Sequence, residues 1–199
     1  MEKRSAEQLL KQKKKMQYSG SRKNRQQKYS LSMEVVKNYV VLDFETTGLS
    51  AWKDKIIQIG AVKYENHRRT DTFYLLVDPQ CHISRTITSI TGIRNEDVAG
   101  APVIEEVIDD LIAFIGDYPI VAHNAPFDMG FLYALDSIAS IPAYTVIDTV
   151  RLAKQTLRNI PDYKLTTLSA FLELEHHAHD ALGDCLAAAA IYQFCAVQN

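Results

Sequence analysis

The sequence predicts an α/β fold: a mixed sheet of about five strands, an antiparallel meander followed by parallel strands, with helices on both faces. Three observations carry this. Three β-type segments come first, without a helix between them. Helical and strand patterns then alternate. The last quarter has helical spacing and is rich in alanine.

Tyr39-Val40-Val41-Leu42-Asp43-Phe44 is a short apolar run with β-branched residues, the pattern of a buried strand. Ile56 to Tyr64 reads as a second strand and Arg69 to Val77 as a third, joined by a turn at Glu65-Asn66-His67. Asp78-Pro79 ends the meander, and a loop is expected through Ile90-Thr91-Gly92-Ile93. From Pro102 to Ile115, Val103, Val107, Ile108, Leu111, Ile112 and Ile115 share one helical face. Pro119 to Ala122 is a short strand, after which Asn124 is expected to cap a helix that tolerates Pro126 in its first turn. Tyr144 to Asp148 is a further strand. Helices follow at Thr149–Leu157 and Leu165–Leu172, and a last one from about Ala181 to Cys195.

The chain has 199 residues, of which 47% are hydrophobic and 23% charged, the composition of one ordinary domain with a real core. No apolar run approaches the roughly 20 residues that span a bilayer, and the basic start lacks the apolar stretch of a signal peptide. The expectation is therefore a cytoplasmic protein with no membrane partner. Cys81, Cys185 and Cys195 form no CxxC pair, which argues against a disulfide framework or a structural zinc site. Charge is unevenly placed. Residues 1–37 hold eleven Lys and Arg against three Glu, a balance of +8, which leaves −10 for the rest of a chain whose net charge is −2. Poor in large apolar residues, residues 1–37 read as a basic, disordered tail, either solvated or in contact with phosphates or a partner; residues 38–199 read as the folded domain.

Five residues carry chemistry. Asp43 and Glu45 end the first strand, in Asp43-Phe44-Glu45-Thr46-Thr47-Gly48. Alternate strand residues share a face, so the two carboxylates point the same way, about 7 Å apart by rise, with Phe44 turned to the core. Like charges that close raise a carboxyl pKa unless a cation lies between them, and hard divalent ions are the natural counterpart. Asp128 falls in the first turn of its helix, where the dipole alone would favour an acid. His179 and Asp184 are five apart, about 140° on a continuous helix. Asp180 makes a reasonable N-cap, which leaves His179 in the preceding loop. The neighbouring His176 and His177 raise a metal-cluster alternative, but with no Cys or second acid at zinc spacing they read as solvent-facing. Strand ends and helix starts converge at one edge of a mixed sheet. Four carboxylates suit two divalent cations and one histidine suits a base that activates water, the set needed for phosphodiester hydrolysis.

These residues resemble the motifs of the DnaQ-like (DEDDh) 3′→5′ exonuclease superfamily: Asp43 and Glu45 stand at the first motif, Asp128 at the second, His179 and Asp184 at the third. Ile90-Thr91-Gly92-Ile93 and Val121-Ala122-His123-Asn124-Ala125-Pro126-Phe127-Asp128 are most similar to the proofreading exonucleases of bacterial DNA polymerase III, above all the PolC type. The resemblance runs from about Asn38 to the C-terminus and leaves the basic tail unexplained. It implies a ribonuclease-H-like fold and removal of nucleoside 5′-monophosphates from a 3′ end with two Mg²⁺ or Mn²⁺ ions. Asp43 would bridge the ions, Glu45 and Asp184 would complete the site of the ion holding the attacking water, Asp128 would support the other, and His179 would take the water's proton. Thr46, Thr47 and Leu49 would touch the terminal nucleotide. The implied partners are a single-stranded or frayed 3′ end of DNA, or of RNA, and a DNA polymerase subunit. Phe127 reads as core, and Lys164 as either a phosphate contact or a solvated lysine. Two alternatives stay open: an RNA-trimming exonuclease of the same family, and a non-catalytic polymerase accessory subunit.

Overall fold

The computed structural model describes residues 28–175 and 178–198. His176, His177 and most of the basic tail therefore lie outside the described residues. Six strands, β1 (Ser30–Ser32), β2 (Tyr39–Thr46), β3 (Ile56–Glu65), β4 (Arg68–Leu76), β5 (Ile120–Ala122) and β6 (Thr145–Asp148), form one sheet in the order β1-β6-β5-β2-β3-β4. The β2–β3 and β3–β4 pairs are antiparallel; β2–β5, β5–β6 and β6–β1 are parallel. The meander and the parallel strands are thus as the sequence predicts. The β3–β4 turn has Asn66 and His67 both at positive φ, 52° and 61°, the backbone that tight two-residue hairpins need.

Among the described residues, helices α1 (Arg85–Thr91), α2 (Asn95–Val98), α3 (Ile104–Ile115), α4 (Pro126–Ala134), α5 (Thr149–Thr156), α6 (Leu165–Phe171) and α7 (Ala181–Gln198) pack on the sheet, with a 3-10 turn at Leu135–Ser137. Strand alternation divides the core. Val40, Leu42 and Phe44 of β2 meet α3 and α4 through Val107, Ile108, Leu111, Met129 and Leu132. Tyr39 and Val41 face the other way, onto α5, α6 and α7 through Leu152, Leu168, Cys185, Ala188 and Tyr192. By the same alternation Asp43 and Glu45 belong to the α7 face. By length and composition α7 could cross a membrane, but it packs on β2 and β3 as a core helix.

Three expectations need correction. Residues 28–37 pack on the folded domain, which therefore does not begin at Asn38. Ser30–Ser32 pairs with Thr145–Ile147 in the sheet, the Tyr29 ring stacks on Tyr133 at 5.9 Å, Lys28 pairs with Asp136, and the Tyr192 hydroxyl accepts from Val36 N (2.7 Å) and donates to Val36 O (2.8 Å). A three-residue strand has too little pattern to read, and its partner lies over a hundred residues away. Secondly, the expected loop through Ile90 and Thr91 is helical. Ser84 Oγ accepts from Ile87 N at 3.3 Å and Gly92, at φ 75°, closes the helix through Thr88 O. Its Thr and Ile residues are poor helix formers, so propensity points the wrong way. Thirdly, Asn124 is not the side-chain cap of α4. It sits at φ 61° two residues before the helix, with Ala125 in the cap position and Pro126 first in the helix.

Candidate active site

The site lies where the sheet changes direction, at the carboxyl ends of β2 and β5, the usual place for a ligand crevice in such folds. Asp43 is half-buried there, while Glu45, Asp128 and Asp184 are buried. Asp128 is anchored to β2, since its Oδ1 accepts the Phe44 N–H at 3.1 Å; the peptide between the two strand acids therefore ties α4 to the site. His179 stands in the loop before α7, as Asp180 takes the N-cap with Oδ2 accepting from Gly183 N at 3.0 Å. The His179 N–H donates to Asp184 Oδ2 at 3.2 Å. Ligand atoms of Glu45, His179 and Asp184 come within 4.8 Å of one another. All five candidates thus gather at one place: three form this cluster, Asp43 borders it, and Asp128 is held through Phe44.

Two cavities meet at the acids, sharing Asp43, His179 and Asp184. One, of about 470 Å³, is walled by Thr46, Gly48 and Leu49 on the β2 side and by Thr86, Ile87, Ile90, Thr91 and Phe127 opposite. The other, of about 690 Å³, is bordered by His123, Asn124, Lys154, Tyr163 and Lys164. Of the candidate nucleotide contacts, Thr46 and the exposed Leu49 line the smaller cavity. Thr47 does not; its Oγ1 accepts from Lys55 N at 2.9 Å and serves the loop itself. Phe127 does both: half-buried, it packs against the core, 5.1 Å from Phe131 between ring centres, and it also lines the cavity. Sequence reasoning also missed Ile87 and Ile90, because they were placed in a loop; half-exposed Ile90 is an apolar residue with no core to fill. Lys164 borders the larger cavity with its Nζ 3.3 Å from Asp162.

The electrostatics are those of a strained acid cluster. Burial, then Asp128, Asp184, Glu45 and Asp180, pushes the Asp43 carboxyl well above its usual range. Burial, then Asp184 and Asp180, pushes Glu45 up to about 8. Burial also raises Asp128, against the hydrogen bond from Phe44. A raised acid favours the folded state while protonated, and that contribution is lost as pH rises through the folded value. For Glu45 the window runs from its ordinary 4.5 to about 8. Protein in chelator should therefore melt at progressively lower temperature between pH 5 and 8, and a divalent cation should restore the loss most strongly at the upper end, releasing protons as it binds. Thermal melts across pH with and without Mn²⁺ check this; a metal-induced shift that is the same at pH 5 and pH 8 contradicts it.

The fold and the acid cluster define a nuclease of ribonuclease-H-like architecture. The Exonuclease (RNase_T) family model matches residues 40–192, and the chain belongs to that family. It is 43% identical over 157 residues, 77% of its length, to the PolC-type DNA polymerase III of Caldanaerobacter subterraneus subsp. tengcongensis, and spans 11% of that much longer protein. Among solved structures it is similar to exonuclease X in complex with 5′-overhanging duplex DNA (TM-score 0.59, 27% identity, 77% of this chain and 89% of that one). Escherichia coli exonuclease I, solved with a dA16 oligonucleotide, shares the fold (TM-score 0.71, 17% identity, 82% of this chain and 42% of that one).

Proposed function

We propose that this chain is a divalent-metal-dependent 3′→5′ exonuclease that removes nucleoside 5′-monophosphates from DNA, working in the cytoplasm in proofreading or repair. The observation that carries the reading is the meeting of Asp43, Glu45, Asp128, His179 and Asp184 between two cavities. The PolC-type relatives and the duplex-bound exonuclease X favour DNA as substrate, and a polymerase subunit as partner. Hard oxygen donors, buried beside one another with raised carboxyl pKa values, fit two Mg²⁺ or Mn²⁺ ions. Asp43, Glu45, Asp128 and Asp184 would hold them, and bound ions would supply positive charge to the phosphoryl oxygens and make water a better nucleophile at neutral pH. His179, exposed at the cluster's edge, accepts the proton of the attacking water. The smaller cavity, lined by Leu49, Ile87, Ile90 and Phe127, suits the apolar faces of the terminal nucleotide, and the larger one, with Lys154 and Lys164, suits the phosphates of the strand behind it.

Digestion of end-labelled single-stranded DNA, mismatched duplex and matched RNA, in chelator and with added Mg²⁺ or Mn²⁺, tests the proposal. A 5′ label should appear in a ladder of shortening strands and a 3′ label in mononucleotide from the earliest times. Full activity in excess chelator sinks the metal reading, the reverse label pattern sinks the polarity, and faster cleavage of RNA than DNA moves the substrate. Absence of hydrolysis with every metal leaves an accessory subunit that works by binding.

A further inference from the structure

We propose that Gln58 and Tyr74 are positioning residues for His179, acting through Asp180 and Ala181 to tie its loop to β3 and β4. The inference rests on the reading of His179 as the base.

His179 has φ 67°, the left-handed region, which is strained for a non-glycine residue and persists only where the surroundings impose it. The two residues that follow supply the constraint. Ala181 N donates to Gln58 Oε1 at 2.9 Å, Gln58 Nε2 donates to the Tyr74 hydroxyl at 2.9 Å, and that hydroxyl donates to Asp180 Oδ1 at 2.8 Å. The path leaves the chain at Ala181 and returns at Asp180, a closed ring running through two strands. Its direction is determined. A backbone N–H can only donate, so the Gln58 oxygen faces Ala181 and its NH₂ faces Tyr74; the tyrosine then has its proton for the carboxylate. Burial and the Asp180 hydrogen bond push the Tyr74 hydroxyl up to about 12, so it remains a donor at neutral pH.

Strand register places the ring beside the acids. Across β2 and β3, Glu45 stands opposite Gln58 and Asp43 opposite Gly60; across β3 and β4, Gly60 stands opposite Tyr74. Asp43, Glu45, Gln58, Gly60 and Tyr74 thus share the face that receives α7. Gly60 admits the helix start, since a Cβ there would lie 2.5 Å from the carbonyl carbon and oxygen of Ala181. One register therefore sets both the strand acids and the height of the histidine loop. A misplacement on the order of 1 Å in such a group can cost about a hundredfold in rate.

The test is Tyr74→Phe, conservative at a half-exposed position, alone and combined with His179→Ala, read as kcat, KM, melting temperature and amide hydrogen exchange at residues 179–184. The expected result is a kcat loss of about tenfold with KM and melting temperature unchanged, faster exchange at 179–184, and no further kcat loss when the change is added to His179→Ala. Should Tyr74→Phe fail to fold, Gln58→Glu keeps the acceptor for Ala181 N but removes the donor to Tyr74, and the same pattern is expected. Unchanged kcat, or an equal loss in both backgrounds, overturns the positioning role. Near-wild-type kcat in His179→Ala alone would instead remove the base reading on which it rests.

Discussion

Asp43→Ala should lower the rate of strand hydrolysis by at least about a thousandfold, on the order of 4 kcal/mol of transition-state stabilisation, while the protein in chelator melts at a higher temperature than wild type. Asp43 borders both cavities, at the junction where the terminal nucleotide and the strand behind it would meet. It is one of the four acids that would hold the ions and has the other three as neighbours, so its loss would weaken metal binding as a whole. The second half of the expectation follows from the electrostatics. Burial and four neighbouring acids already resist ionisation of Asp43. Deleting it removes a half-buried acid and relieves Glu45, Asp128 and Asp184 of a like charge. Stability gained with activity lost is the signature of a site strained for its chemistry. Turnover and melting curves on the same preparation check both; near-wild-type turnover would move the metal centre elsewhere.

His179→Ala should lower kcat by about 10²–10⁴-fold, the contribution of a positioned general base, and leave strand binding intact. The geometry also admits a second role. A ring nitrogen of His179 lies within 4.8 Å of Glu45 and Asp184 oxygens, close enough for all three to hold one cation. The two roles differ in what the substitution does to metal affinity. A base leaves Mn²⁺ binding unchanged while kcat falls; a ligand weakens Mn²⁺ binding, and excess metal then recovers part of the rate. Mn²⁺ titration of the variant decides between them, and kcat within a factor of a few of wild type excludes both.

Much of the site was legible in the residues. Asp43-Phe44-Glu45 announces two acids on one strand face because side chains alternate with a period of two. Asp180 announces the start of α7 because a side-chain oxygen is needed for the first N–H groups, and this places His179 in the preceding loop. What stayed hidden depends on chain segments far apart in sequence. Ser30–Ser32 acquires strand geometry only by hydrogen bonding to β6. Helix α1 forms against the propensity of its Thr and Ile residues, fastened by Ser84 and Gly92, and so brings Ile87 and Ile90 to the cavity that Leu49 also lines. Phe127 shows the same dependence: whether an apolar side chain serves only the core or also a cavity wall is decided by what packs around it. The ring from Ala181 through Gln58 and Tyr74 to Asp180 is the extreme case, spanning over a hundred residues of chain. Local periodicity and capping depend on backbone geometry within a few residues, so the sequence by itself determined the fold class and the five candidate catalytic residues; cavity walls and the restraint on His179 are made of contacts between distant segments, which exist only once the sheet has taken its register.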